Sequence, residues 1–338
     1  MKKVLTVGEM LLRLSPEGYK MITQPSANTL EMFYGGAELN VSVDLSNFGV
    51  NVGYFTKVPD NSLGKKGIKY LEYYGVDTTD IKTGGERLGI YFLEKGYSVR
   101  SSSVIYDRSH SSFSEIEMTD NEITGIIEKY DIIFLSGITA AISEKTFELS
   151  KKLVKIAKEL KKEVVFDCNY RSKLITLEEA GIRYSEIIPY VDILFAGYLD
   201  FINIFGISHR MYDTDDYEEY YKEIYKKVYE KYSFKYIISS IRKPISANRN
   251  MYSGIITDGQ NVYKGKEIEV EIIDRVGTGD AFTSGALYSY IKGKEINDIV
   301  NFAVCSGALK HTIDGDVSEI TENKVLEIMG HNSFDVAR

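Results

Sequence analysis

"DRVGTGDAFTSG" fills residues 274–285, with two glycines around Thr278, a carboxylate at Asp280 and then a run of small residues. Glycines let a backbone turn tightly and come close to a ligand. The small-residue run reads as a helix. A helix N-terminus carries unpaired N–H groups and partial positive charge, which suit an anion. Asp280, on the first turn, sets an acceptor beside that anion site. Such a pair suits phosphoryl transfer to a hydroxyl: the carboxylate takes the proton while backbone amides hold the charge growing on the phosphate. The plainer alternative is a glycine turn with Asp280 as a helix cap.

Outward from this stretch, short apolar runs alternate with longer amphipathic ones, the pattern of a parallel sheet covered by helices. Strands are expected at 2–8 ("KKVLTVG"), 51–58, 130–137, 163–169 ("EVVFDCN"), 191–197 ("VDILFAG") and 236–242. "GGAELNVSVDLSNFG" (35–49) reads as a glycine turn into a helix. Further helices are expected at 61–75, 143–162, 279–293 and 295–313. The Tyr- and Lys-rich helix expected at 213–233 reads as a solvated face.

Two stretches break this rhythm. Residues 89–108 read as a hairpin turning near Lys95 and Gly96, and 10–16 with 30–36 give two more short strands. Together they are expected to form a small sheet separate from the main one, standing over the C-terminal ends of its strands. Ligands of open α/β sheets bind at that edge, and a lid there excludes water. The expected division is a core of 1–12, 37–88 and 113–338 with a lid of 13–36 and 89–112 inserted in it.

The chain has 338 residues, 43% of them hydrophobic, enough for a large core. Its net charge of −8 offers no broad basic face, so nucleic acid is not an expected partner. Cys168 and Cys305 make no disulfide framework and read as buried small residues of a reducing compartment. The apolar start is broken by Gly8, Glu9 and Arg13, so it reads as a buried strand and not a signal peptide. No membrane span is expected, and the expected location is the cytoplasm. His110 and His311 lack metal-ligand spacing and read as polar surface or lid residues.

The chain resembles the ribokinase, or PfkB, family of sugar kinases nearly end to end. Residues 35–49 resemble that family's N-terminal signature and 57–81 the segment that follows it, while 274–287 resemble the C-terminal signature. The resemblance implies an α/β fold with a ribokinase-like three-layer core, a mostly parallel central sheet and a small β-sheet lid. It also implies ATP and Mg2+ as cofactors, a sugar or sugar-acid substrate, and a homo-oligomer paired through the lid. "VGEMLLRLSPEGY" (7–19), "IYDRSHSSFS" (105–114), "FDCNYRSKL" (166–174) and "LKHTIDGDVSEIT" (309–321) are similar more narrowly to 2-keto-3-deoxygluconate kinases. These phosphorylate the terminal hydroxyl of a keto-deoxy sugar acid. The alternatives are a fructokinase or other sugar kinase of the family, or a sugar-binding sensor without catalysis.

Carried over residue by residue, the resemblance makes Asp280 the base and gives Gly277, Thr278 and Gly279 the anion hole. Gly35, Gly36 and Asn40 match the sugar-contacting turn. Tyr91 and Tyr106 on the lid hairpin pack on the sugar, Arg108 and Arg171 meet its acid end, and Asp316 is a further substrate contact. Many fructokinases and ribokinases carry an aspartate near position 13; Arg13 stands there, a side chain suited to carboxylates. Ser240 and Arg242 are the nucleotide candidates, with adenine against Val304, and Asn169 sits beside the phosphate or the metal shell. Where the family has Asn-x-x-Glu to order magnesium, this chain has Gly197 and Asp200. Asp200 can still hold a metal-bound water, with a shorter reach.

Overall fold

Alternation of apolar side chains along each strand builds two cores, one on each face of a single sheet. Leu5, Ile133, Leu135, Phe166, Leu194 and Ile237 point to one cluster, and Val4, Ile132, Phe134, Val165, Ile193 and Ile238 to the other. The structure, a computed structural model, describes residues 1–207 and 217–330, with side chains of the second stretch described from Tyr221.

In chain order the elements begin with β1 (Val4–Val7), β2 (Leu11–Pro16), β3 (Leu30–Gly35), α1 (Ala37–Asn47), β4 (Val52–Phe55) and β5 (Lys57–Val58). Next come α2 (Ser62–Tyr73), β6 (Lys82–Thr83), β7 (Gly89–Glu94), β8 (Ser103–Asp107), α3 (Asp120–Ile127), β9 (Ile132–Ser136), α4 (Gly137–Ile142) and α5 (Glu144–Glu159). Then follow β10 (Glu163–Asp167), α6 (Leu177–Ile187), β11 (Ile193–Phe195), α7 (Tyr198–Asn203), α8 (Tyr217–Lys231), β12 (Tyr236–Ser246), β13 (Arg249–Thr257), β14 (Val262–Lys264) and β15 (Ile268–Glu271). The chain closes with α9 (Thr278–Ile291), α10 (Ile296–Lys310) and α11 (Glu322–Gly330).

The main sheet runs β14-β13-β12-β11-β10-β9-β1-β4, with β15 also on β13. From β4 to β12 every pairing is parallel, and β13 to β15 add an antiparallel edge. Helices α3 to α8 cover one face and α1, α2 and α9 to α11 the other, giving the three layers expected. A separate sheet, β3-β2-β7-β8, carries Leu11, Tyr91 and Leu93 on its inner face, packed against Val276 of the 274–285 stretch. Leu11 and Leu12, expected in the core, already belong to this sheet.

Two readings of the sequence are refined here and two are corrected. The lid hairpin turns between Glu94 and Ser103, as expected near Lys95 and Gly96, and its tip is closed by Tyr97 and Arg100, which exchange backbone bonds of 2.9 Å. The strand expected at 236–242 runs on to Ser246 in the long β12–β13 hairpin; Pro244 sits next to its irregularity, where a missing N–H is tolerated. The Tyr- and Lys-rich helix is not a solvated face: Tyr221, Ile224, Tyr225 and Val228 are buried at helical spacing. Of that expected helix, residues 213–216 lie outside the described residues. His311 is fully buried, with Nδ1 at 2.7 Å from the Gly307 carbonyl and its ring against Tyr252. Burial lowers its pKa to about 4, so it is neutral.

No helix among the described residues is long and apolar enough to cross a membrane.

Candidate active site

A cavity of about 820 Å³ lies between the small sheet and the C-terminal ends of the main strands. Leu11, Tyr91, Leu93 and Tyr106 form its lid wall; Asp167, Asn169 and Phe195 come from the ends of β10 and β11, and Ser240 from within β12. Its floor holds Gly277, Thr278, Gly279 and Asp280. The strand ends supply the polar wall because the parallel strands all point the same way there.

Gly277 sits at φ 78°, the left-handed region, and a Cβ there would lie 2.0 Å from the Asp316 carbonyl. Glycine alone fits such a place without strain. No side chain caps α9, so its first-turn amides are left for a ligand. The Thr278 amide makes a long 3.4 Å bond to the Arg275 carbonyl, which also accepts from its hydroxyl at 3.0 Å.

Asp280 is 8% exposed and accepts from Asn40 Nδ2 at 2.7 Å. Burial pushes its pKa up to about 8, with Asp167 adding to the rise; the Asn40 bond and Arg171 work against it. A carboxyl so raised is matched to taking a proton near neutral pH. Asn40 thus holds the base itself, while its own Oδ1 has no partner.

Gly36, at φ 137°, lets the turn pass over the Glu9 carbonyl, which a Cβ would meet at 2.3 Å. Gly35 packs on Asp316 behind the wall. Asp316 lines the cavity but is bound by the protein: Tyr91 donates to one oxygen and Arg13 Nη1 to the other, at 3.1 Å. Arg13 is neither a surface side chain nor a cavity residue. It is fully buried, with Nη2 at 2.6 Å from Asp274, Nε at 2.9 Å from Ser15 and its plane over Phe33. The carboxylates that it suits are the chain's own.

Arg108 is buried in the wall, with Nε at 2.8 Å from Glu9 Oε2, and lies near the ring of Tyr106. Arg171 is exposed and bonds only carbonyls, those of Tyr170 at 3.2 Å and Asn169 at 3.4 Å, among the described residues. Asn169 holds φ 38° at the end of β10, a position that asparagine tolerates better than most.

Asp200 accepts from the Gly197 amide at 2.7 Å, closing the turn that opens α7. Gly197 has φ −84°, an ordinary backbone conformation that other residues adopt. Burial raises Asp200 to about 6 and Asp167 to about 7. No cage of three or more acidic, His or Cys side chains stands among the described residues. Two desolvated carboxylates on one wall fit a magnesium ion that keeps its waters and arrives on phosphates. They do not fit a resident, fully caged ion.

Ser240 and Arg242 lie on the wall as expected, but Val304 does not. It is fully buried in the core against β13, because α10 packs directly on that strand. The sequence reading missed Arg275 and Glu9. Arg275 lines the cavity beside Arg242, whose charge, after burial, lowers its pKa. Both missed residues stood in quoted motifs, Glu9 next to Gly8 and Arg275 two residues before Gly277.

The profile of pfkB family carbohydrate kinases matches residues 1–321. A 2-dehydro-3-deoxygalactonokinase of Haloferax volcanii is 29% identical over 335 residues, covering 97% of this chain and 96% of that one. The crystal structure of a 2-dehydro-3-deoxygluconokinase from Thermotoga maritima is 35% identical, with a TM-score of 0.93 over 98% of this chain and 100% of its own. That of a PfkB family carbohydrate kinase from Listeria grayi is 33% identical, with a TM-score of 0.90 over 98% and 100%.

Proposed function

Since the chain belongs to the pfkB family of carbohydrate kinases, we propose that it uses ATP to phosphorylate the terminal hydroxyl of 2-keto-3-deoxygluconate. The observation that carries this reading is Asp280, a desolvated carboxylate on the uncapped first turn of α9, inside a cavity that also holds Arg108 and Arg171. Asp280 takes the hydroxyl proton. The oxygen attacks the γ-phosphorus, and the bond to ADP breaks with its electron pair leaving on ADP. Amides at Gly277, Thr278 and Gly279 hold the charge that develops. Asn40 fixes Asp280, while Gly35, Gly36, Tyr91, Tyr106 and Asp316 shape the sugar pocket. Ser240, Arg242 and Arg275 lie toward the nucleotide. Relatives named for 2-dehydro-3-deoxy sugar acids support the substrate class.

Magnesium neutralises phosphate charge in such transfers. Asp200 and Asp167 are the residues that would hold its waters. Asp200→Ala should raise the magnesium needed for half-maximal rate severalfold, and a magnesium titration of the rate checks it. Gly197 has extended backbone and room for a Cβ, 3.6 Å from Asp200. Gly197→Asn with Asp200→Glu should therefore use magnesium at least as well as the wild type. An unchanged titration for Asp200→Ala removes this loop from the metal site.

The acid end is assigned to Arg171 and Arg108. A panel of sugars and sugar acids with ATP and magnesium, followed by ADP release, tests the substrate. Arg171→Leu should lower kcat/KM for the sugar acid at least tenfold, about 1.4 kcal/mol, and leave a neutral sugar nearly untouched. A neutral sugar such as fructose is the second reading, favoured by the fact that Arg108 already faces Glu9. A wild type that prefers fructose would establish it.

The lid is the place for a second copy. Leu30, Met32 and Ile105, on its two edge strands, are 42%, 38% and 53% exposed, and an open sheet edge favours pairing.

A further inference from the structure

We propose that Glu9 is a positioning residue that sets the charge the cavity offers to a substrate carboxylate; this rests on the sugar-acid reading above. Glu9 follows β1 of the core, and Arg108 follows β8 of the lid, so their ion pair crosses the seam between the two. Both are buried, at 3% and 7% exposure, and both line the cavity.

The pair is one-sided. Arg108 Nε and Nη2 both donate to Glu9 Oε2, while Oε1, equally buried, has no partner. A forked guanidinium usually engages both carboxylate oxygens. Here the pair fixes the arginine without filling the acceptor. Glu38 lies close enough to feel Arg108, but it is held by the Ser136 amide and hydroxyl and by Thr139, at 3.1, 2.6 and 2.7 Å. Glu9 is therefore the carboxylate that directly neutralises Arg108.

The consequence is a division of labour. Arg108 and Glu9 together present no net charge, and Arg171, which forms no ion pair among the described residues though it feels Asp167, Asp200 and Asp280, is the cation left to pair with a ligand. An incoming carboxylate is drawn by Arg171 and oriented by an arginine that Glu9 holds still. Removing the charge of Glu9 adds a full positive charge a few ångströms from the sugar's acid end. In a partly desolvated site that shifts binding of an anion by about tenfold or more, and leaves a neutral sugar indifferent.

The test is the ratio of kcat/KM for 2-keto-3-deoxygluconate to that for a neutral sugar, with calorimetric affinities for both. Glu9→Gln should move the ratio toward the acid at least tenfold, and Glu9→Asp, which keeps the charge, should keep the wild-type preference. A purely structural Glu9 would lower both substrates alike, so an unchanged ratio in folded Glu9→Gln overturns the inference. If Glu9→Gln does not fold, the double variant Glu9→Gln with Arg108→Gln replaces it. Compared with Arg108→Gln alone, which leaves the Glu9 charge unopposed, that variant should favour the acid at least tenfold more, and an equal ratio in the two overturns the inference. A wild type that phosphorylates no sugar acid overturns the proposed substrate instead. Glu9 is then judged on affinity alone: Glu9→Gln must still bind the acid at least tenfold more tightly than the wild type does.

Discussion

Asp280→Asn should keep sugar and nucleotide binding and lose turnover by several orders of magnitude. Loss of general-base help alone removes about 10²–10⁴-fold, and the carboxylate also orients the attacking hydroxyl. The variant is nearly isosteric and can keep a bond to Asn40, so the loss falls on kcat and not on the fold. Burial gives the effect a pH signature. Because the folded-state pKa of Asp280 is raised to about 8, the wild-type kcat/KM should climb as pH rises through that region, and the Asn variant should lack the climb. The same shift has a sign for stability. A carboxyl raised on folding contributes stability below its ordinary value, and this is lost as pH rises through about 8. Ionised Asp280 therefore destabilises the fold where the enzyme works. Asp280→Asn should melt higher than the wild type at pH 8 and above, and a thermal melt beside the rate assay checks both halves. A variant of near wild-type rate removes Asp280 from the mechanism.

Arg13→Met should destabilise the protein by about 3–5 kcal/mol, the usual result of removing one partner from a buried ion pair. Arg13 pairs with three acids: Asp274 and Asp316, both buried, and Asp314 at 3.8 Å. Asp274 precedes the anion hole and Asp316 packs under Gly277. Without Arg13, two desolvated carboxylates face each other, and Lys310 does not replace it, being bonded to the carbonyls of Ile313 and Gly315. Burial lowers the pKa of Lys310 despite those acids. The nearby acids hold the Arg13 proton more firmly still, against the effect of burial. Adding Asp274→Asn and Asp316→Asn to Arg13→Met should recover part of the loss, since the cluster is then neutral. Urea unfolding of the single and triple variants measures this, and a loss below about 1 kcal/mol for Arg13→Met contradicts a structural role.

Much of this was legible in the sequence because the signals are local. The alternating apolar runs of β1, β9, β10 and β11 declare a parallel sheet, and Gly277 with Asp280 declares a helix start suited to an anion. What stayed hidden depends on contacts distant in sequence. Arg13 lies some three hundred residues before Asp316, so nothing local said that its carboxylates were internal. The Glu9 and Arg108 pair likewise joins separate elements. Tyr221 and Tyr225 looked solvated because their neighbours are charged, and only the tertiary packing of α8 shows which stripe is inside. Val304 carried an adenine assignment by resemblance alone, and the close packing of α10 on β13 places it in the core.

The most direct measurement is phosphorus NMR of the product made from 2-keto-3-deoxygluconate, ATP and magnesium by the wild-type protein. The expected result is one new phosphomonoester signal, split by the two protons of the terminal methylene, appearing together with ADP. ADP release without that ester, an ester on another carbon, or no reaction where fructose reacts readily would contradict the sugar-acid kinase reading.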